Sequence, residues 1–254
     1  MIRNPSGNWA GTDDWGCIMK LSRSIILLYL GLMFFVVIMT RATAKVQALP
    51  PDVGLVTMLC GNVTYWNDGY QKTPTTAEAF MKIRRGDRFK LRPGAVMQLV
   101  YFLGGRQETW KGPVTLTVDD SESHLEGKKQ PHAQPKVVVL PAGTTQGVRR
   151  IPVLLRRAGL WRPGSTQIRG DVETSPTAFA ITPEEKAQIV AAKETYRSLR
   201  KQTDPGDITP ELYLLGVLTD YEQYGEMEGI IREALKRQPD NEILKGLMEW
   251  VLAQ

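Results

Sequence analysis

Two arginine pairs, Arg149-Arg150 and Arg156-Arg157, with Arg162 close behind, are the residues whose type and spacing best suit chemistry. A guanidinium is a planar fork that meets a carboxylate or phosphate through two parallel hydrogen bonds. The chemistry on offer is therefore anion recognition: an acidic protein surface, an anionic lipid headgroup or an acidic cell-wall polymer. Aromatic residues offer a second kind. Tyr65, Trp66, Tyr101 and Trp110 would form a stacking platform for a glycan or small ligand, although their place among aliphatic strand residues also suits a core. Catalysis has little to stand on, since the chain carries no P-loop, no G-x-G-x-x-G, no G-x-S-x-G elbow and no H-E-x-x-H. A non-enzymatic protein is expected. Cys17, Cys60, His124 and His132 are too few for a structural zinc site or a disulfide framework, so no metal or cofactor is expected to organise the fold. Asp119-Asp120-Ser121-Glu122-Ser123-His124 reads as a solvated loop rather than a cation site, and Arg169-Gly170-Asp171 is too short to carry weight.

The elements that position these residues differ in charge. Of the 254 residues, 42% are hydrophobic and 23% charged, which excludes both a disordered chain and a multi-span transporter. The overall +5 hides three stretches: residues 45–127 sum to +1, residues 128–170 to +9 with no acid at all, and residues 171–254 to −7. A basic middle against an acidic end favours docking within the chain or onto an anionic partner.

Ile25 to Met39 is a fifteen-residue apolar run, preceded by Lys20 and Arg23 and followed by Arg41-Ala42-Thr43-Ala44. Basic region, apolar region and small-residue site predict a secretory signal spanning residues 1–44, cleaved after Ala44 with Ala42 and Ala44 as the recognised small side chains. The alternative is an uncleaved anchor. As a helix the run rises only about 22 Å against a hydrocarbon core of roughly 30 Å. Met19-Lys20-Leu21-Ser22-Arg23 would be an ordinary start for such a signal, so translation is expected to begin at Met19, which would leave out Cys17. The expected location is the periplasm, or the inner membrane with the remainder facing it, where nucleic acid is not a partner. Cys60, inside Leu55-Val56-Thr57-Met58-Leu59-Cys60, is expected as a buried small hydrophobe.

Residues 50–145 read as β-structure. Leu55–Cys60, Val63–Trp66, Val96–Leu103 and Val114–Val118 are separated by Asn67-Asp68-Gly69, Arg92-Pro93-Gly94 and Gly104-Gly105, which suit hairpin and type II turns. Val96–Leu103 is apolar on both faces, as a strand covered on both sides would be. Thr115 and Thr117 alternate with Val114, Leu116 and Val118, predicting a strand wet on one face. Gly61-Asn62-Val63, Gly86-Asp87-Arg88-Phe89, Arg92 through Phe102, and Gly105 through Pro113 resemble the FecR-type periplasmic domain over roughly residues 52–120. That resemblance implies a small all-β sandwich or roll outside the inner membrane, of the kind that relays a signal between an outer-membrane receptor and a sigma factor. Two departures stand out: Gly104 replaces the family's usual acidic residue, and too few residues precede the apolar run for a cytoplasmic anti-sigma region.

Residues 146–181 read as a basic linker after a strand at Lys136–Leu140, with Pro152 arguing against one continuous helix. Residues 182–254 read as helical. Thr182-Pro183-Glu184-Glu185 forms a capping box, Thr209-Pro210-Glu211 a second start, and Asp240 a third cap. Ile189, Ala192, Tyr196 and Leu199 line one helix face, and Leu214, Val217, Tyr221 and Tyr224 another, with Gly225 breaking the run. Tyr224-Gly225 followed by Ala234 to Asn241 resembles the second half of a tetratricopeptide repeat, with Gly216 one position out of register.

The expected architecture is α+β: an N-terminal all-β FecR-like module followed by a C-terminal helical hairpin domain. The expected work is binding protein partners in the cell envelope as an adaptor or signalling protein. A periplasmic sensor of a cell-wall glycan and a component of a sigma-factor relay are the alternatives.

Overall fold

Alternating apolar and polar residues resolve into ten strands in the computed structural model, which describes residues 49–127, 133–160 and 181–254. They are β1 (Asp52–Cys60), β2 (Val63–Asn67), β3 (Gln71–Thr76), β4 (Lys82–Arg84), β5 (Arg88–Leu91), β6 (Val96–Tyr101), β7 (Arg106–Lys111), β8 (Val114–Val118), β9 (Ser123–Leu125) and β10 (Lys136–Val139). All pairings are antiparallel, and they build two five-stranded sheets, ordered β10-β7-β6-β1-β4 and β3-β2-β5-β8-β9.

The turns have separate causes. Gly94 has φ +79°, the left-handed backbone a Pro-Gly type II turn requires. The Asn67-Asp68-Gly69 turn closes differently: the Asn67 Oδ1 accepts from the Gly69 N–H at 2.8 Å, and Gly69 is not left-handed.

β6 explains how the sheets and helices join. Met97, Leu99 and Tyr101 point into the core between the sheets, with Val63, Phe89 and Leu116. Val100 and its cross-strand neighbour Leu55 belong to a second core, shared with the helices. The first sheet is thus covered on both faces along β6, as its two-sided apolar pattern requires, while Leu103, expected within that strand, lies past its end and is exposed. β8 is half-wet: Thr115 and Thr117 are partly exposed while Val114, Leu116 and Val118 are buried.

Among the described residues five helices follow: α1 (Thr144–Arg157), α2 (Pro183–Gln202), α3 (Thr209–Asp220), α4 (Tyr224–Arg237) and α5 (Glu242–Leu252). The molecule is therefore α+β with its sheets N-terminal. α1 corrects the expectation of a linker from residue 146, since the helix runs unbroken through Pro152. An interior proline costs about 3 kcal/mol. Burying Val148, Ile151, Leu154 and Leu155 against the helical core returns roughly 1.5–3 kcal/mol for each side chain, so packing wins over the local rule.

Caps follow the sequence at one helix and shift at two. Thr182 and Glu185 form the reciprocal box, Glu185 N–H to Thr182 Oγ1 at 3.2 Å and Thr182 N–H to Glu185 Oε2 at 2.8 Å. At α3 the cap position is Ile208 rather than Thr209 and has no side-chain cap; the buried Asp207 just before it accepts from the Thr209 N–H at 2.8 Å. At α5 it is Asn241 rather than Asp240, accepting from Leu244 N–H at 3.2 Å. The break before α4 falls at Glu222, with φ 53°, and Gly225 lies inside α4. α3 is buried on nearly every face, so its expected single stripe of Leu214, Val217 and Tyr221 is a fragment of an all-round core helix, and Tyr224 starts α4 instead.

Two polar links tie the layers. The Gln107 amide on β7 donates to Asp207 Oδ2 at 2.8 Å, and Lys136 on β10 pairs with Asp204. No helix among the described residues is long and apolar enough to cross a membrane.

Candidate partner-binding groove

α1 sets the site by its two faces. Val148, Ile151, Leu154 and Leu155 face inward, whereas Arg149, Arg150, Val153 and Arg157 face outward at helical spacing. Glycines decide how close α1 comes to α3. A Cβ on Gly216 would sit 1.9 Å from the Gly147 carbonyl oxygen, and one on Gly147 would sit 2.3 Å from that of Tyr213. Only hydrogen fits at either place. The approach leaves a groove of about 570 Å³ between α1, α2 and α3, with Val153, Tyr213, Val217 and Ala192 as apolar lining and Gln146, Gln188, Arg149, Arg150 and Asp220 as polar lining.

The groove brings together two of the five arginines expected to bind a partner. The Arg149 guanidinium lies over the Phe102 ring at 4.6 Å, held by a cation–π contact from the sandwich. Arg150 pairs with Asp220 at 3.0 Å. Burial pushes the Asp220 carboxyl above its ordinary value, with Arg150 pulling the other way. Tyr221 donates to the Gln188 amide oxygen across the groove, bracing α3 against α2. Arg156 and Arg157 sit one helical turn or more away and line no part of the groove. Arg157 pairs with Glu222 at 3.7 Å and donates to the Thr219 carbonyl at 3.4 Å. Arg162 lies outside the described residues, as do Ala42, Ala44, Met19, Cys17, His132 and Arg169-Gly170-Asp171.

Away from the groove lining, Glu211 on α3 is fully buried beside Arg200 at 3.1 Å and Arg237 at 3.7 Å, and it accepts from the Tyr196 hydroxyl at 3.3 Å. Burial raises the Glu211 carboxyl despite the two guanidiniums. The same surroundings push the Tyr196 phenol up to about 12, so it stays a donor. This cluster ties α2, α3 and α4 together.

The stacking platform is corrected. Tyr65, Tyr101 and Trp110 are buried in the sandwich core, and only Trp66 is half-exposed. Tyr65 stacks on Phe89 at 5.8 Å between centroids, and the Trp110 indole N–H points at Glu108 Oε2 (3.0 Å) and Ser123 Oγ (2.9 Å). Their faces are spent inside. Asp87, from the Gly86-Asp87 motif, is likewise internal: it accepts from Arg84 N–H and Asn67 Nδ2, each at 2.8 Å, and from the Tyr70 hydroxyl. Burial raises its carboxyl as well.

Cys60 is also corrected. It is exposed, because β1 leaves the core toward its end, and it lines a second cavity of about 560 Å³ with Leu59, Pro239 and Ile243. In the acidic loop, Asp119 pairs with Arg85 at 3.1 Å and Glu122 with Arg106 at 3.6 Å. No cluster of His, Cys, Asp or Glu suited to a metal occurs among the described residues.

The chain matches no protein-family model, no curated protein and no solved structure. The groove's own chemistry therefore carries the functional reading.

Proposed function

We propose that this chain is a non-enzymatic adaptor of the cell envelope, exported to the periplasm, in which an FecR-like sandwich carries a tetratricopeptide-like helical layer that holds a segment of a protein partner. One observation carries the reading: a groove of about 570 Å³ with mixed apolar and polar lining, flanked by a guanidinium that a ring from the sandwich holds in place. A pre-formed concave site with few, fixed polar groups suits recognition, because little ordering entropy is lost on binding. Helix-lined grooves of this kind take peptide segments through apolar anchors.

The experiment is site-specific photocrosslinking in the native host, with a photoreactive phenylalanine analogue at Val153 or Gln188 in the groove and at Lys72 on the exposed β3. Discrete protein adducts are expected from the two groove positions and not from Lys72. Adducts from all three alike, or from none, would overturn the reading.

A further inference from the structure

The arginines around the groove are not equivalent. Arg150 is paired with Asp220 and Arg157 with Glu222. Arg149 has no carboxylate partner among the described residues, only the Phe102 ring at 4.6 Å. A ring contact uses the face of the guanidinium plane, whereas its N–H donors lie in the plane and stay free. Arg149 is thus oriented and still unsaturated, the state in which a cation pairs with an incoming carboxylate at least entropic cost. Nothing on its own element competes, since α1 holds no acid. From α2 the groove receives the neutral Gln188, from α3 the neutral Tyr213 with Asp220, already bound to Arg150, and from the end of α3 the neutral Tyr221. Two guanidiniums against one carboxylate leave the groove with one positive charge in excess, beside the apolar side chains of Val153 and Val217.

We propose that the occupant is a short peptide segment of a partner protein bearing an aspartate or glutamate beside a large apolar side chain, the carboxylate on Arg149 and the apolar side chain on Val153 and Val217. This rests on the groove reading above and names what fills it. An anionic membrane or wall polymer fits less well, because such surfaces engage several unpaired cations on a convex face, and here a single one stands inside a concavity.

The test pans a random twelve-residue phage-displayed peptide library on the full-length chain in mild detergent, then measures the enriched peptides by fluorescence anisotropy. Enrichment of Asp or Glu within a few positions of Leu, Ile or Phe is expected. Arg149→Gln should weaken those peptides about tenfold to a hundredfold, the range of a charge-assisted hydrogen bond, and Arg156→Gln should leave them unchanged. Val153→Lys adds charge of the attractive sign while removing an apolar contact at an exposed position, so weakened binding supports the proposal. Tighter binding to V153K would mean pure electrostatics and overturn it. Enriched peptides without acids that V153K weakens and R149Q does not would overturn the acidic occupant while leaving the groove reading intact. No enriched peptide, with wild-type chain sedimenting on phosphatidylglycerol vesicles and R149Q failing to, would overturn both in favour of a lipid surface.

Discussion

Replacing Gly216 with alanine tests the helix crossing on which the groove depends. In an ordinary helix interior this change is favourable by about 0.5–1 kcal/mol, because alanine loses less backbone freedom on folding. Here the new Cβ would stand 1.9 Å from the Gly147 oxygen, 2.5 Å from its carbonyl carbon and 2.8 Å from its Cα. All three are backbone atoms, so no side chain can swing aside. Ordinary contact needs roughly 3.4–4 Å, and α1 must move off α3 by well over 1 Å. Overpacking of this kind costs about 1–3 kcal/mol. The same movement loosens Val148, Ile151, Leu154 and Leu155 from their core, which pushes the cost to the upper end. Subtracting the helix gain leaves roughly 2 kcal/mol of destabilisation, or a Tm fall of about 4–8 °C for a chain of this size. The control is Gly229→Ala on α4, where an added Cβ meets nothing within 4 Å; it should raise Tm slightly. Both variants are followed by thermal unfolding with circular dichroism at the helix band. Gly216→Ala melting at or above wild type would refute the close crossing.

Glu211→Gln should expose the buried carboxyl's pH dependence. Because burial holds the folded pKa above the ordinary value of 4.5, Glu211 contributes stability below its unfolded pKa and loses that contribution as pH rises through the folded one. The urea-measured stability of wild type minus Glu211→Gln should therefore shrink from about pH 4 to pH 7, and growth over that range would reverse the sign of the argument. Asp207→Ala removes both the acceptor of the Thr209 N–H at the start of α3 and the acceptor of Gln107, which should cost about 2–3 kcal/mol. Asp207→Asn keeps an acceptor oxygen for the Thr209 N–H and should cost less than half as much in the same urea titration; equal losses would mean that this hydrogen bond is not made.

Local rules read those elements whose causes are local. Thr115 and Thr117 announce a strand with one wet face, Thr182 with Glu185 writes its own helix start, and Pro93-Gly94 its own turn. Failures came where distant contacts outvote the neighbourhood. Pro152 argues against a helix until the burial of Leu154 and Leu155 is weighed, and Thr209 looks like a cap although α3 starts on it, with its N–H held by Asp207. Cys60 belongs by composition to an apolar strand, yet β1 is already emerging from the core at Met58. The arginine pairs stand out in the sequence as candidates for anion binding, but which of them are already paired does not. Which of them is neutralised depends on Asp220, Glu222 and Phe102, none of them near in sequence. Tyr65, Tyr101 and Trp110 could be read as platform or core, and only the packing of the two sheets against each other decides the matter.

The first sheet lies between two cores, and this governs how the molecule opens. β6 contributes Met97, Leu99 and Tyr101 to one core and Val100 to the other, so neither side can melt without uncovering apolar surface on the same strand. Slow amide exchange in β6 and in α3 would then report one and the same opening, the loss of the entire unit. The short connection Leu140–Gly143 runs from β10 straight into α1, with Leu140 itself buried in the helical core. A load applied at the groove passes through it into the hydrogen-bonded ladder of the first sheet rather than into a slack tether.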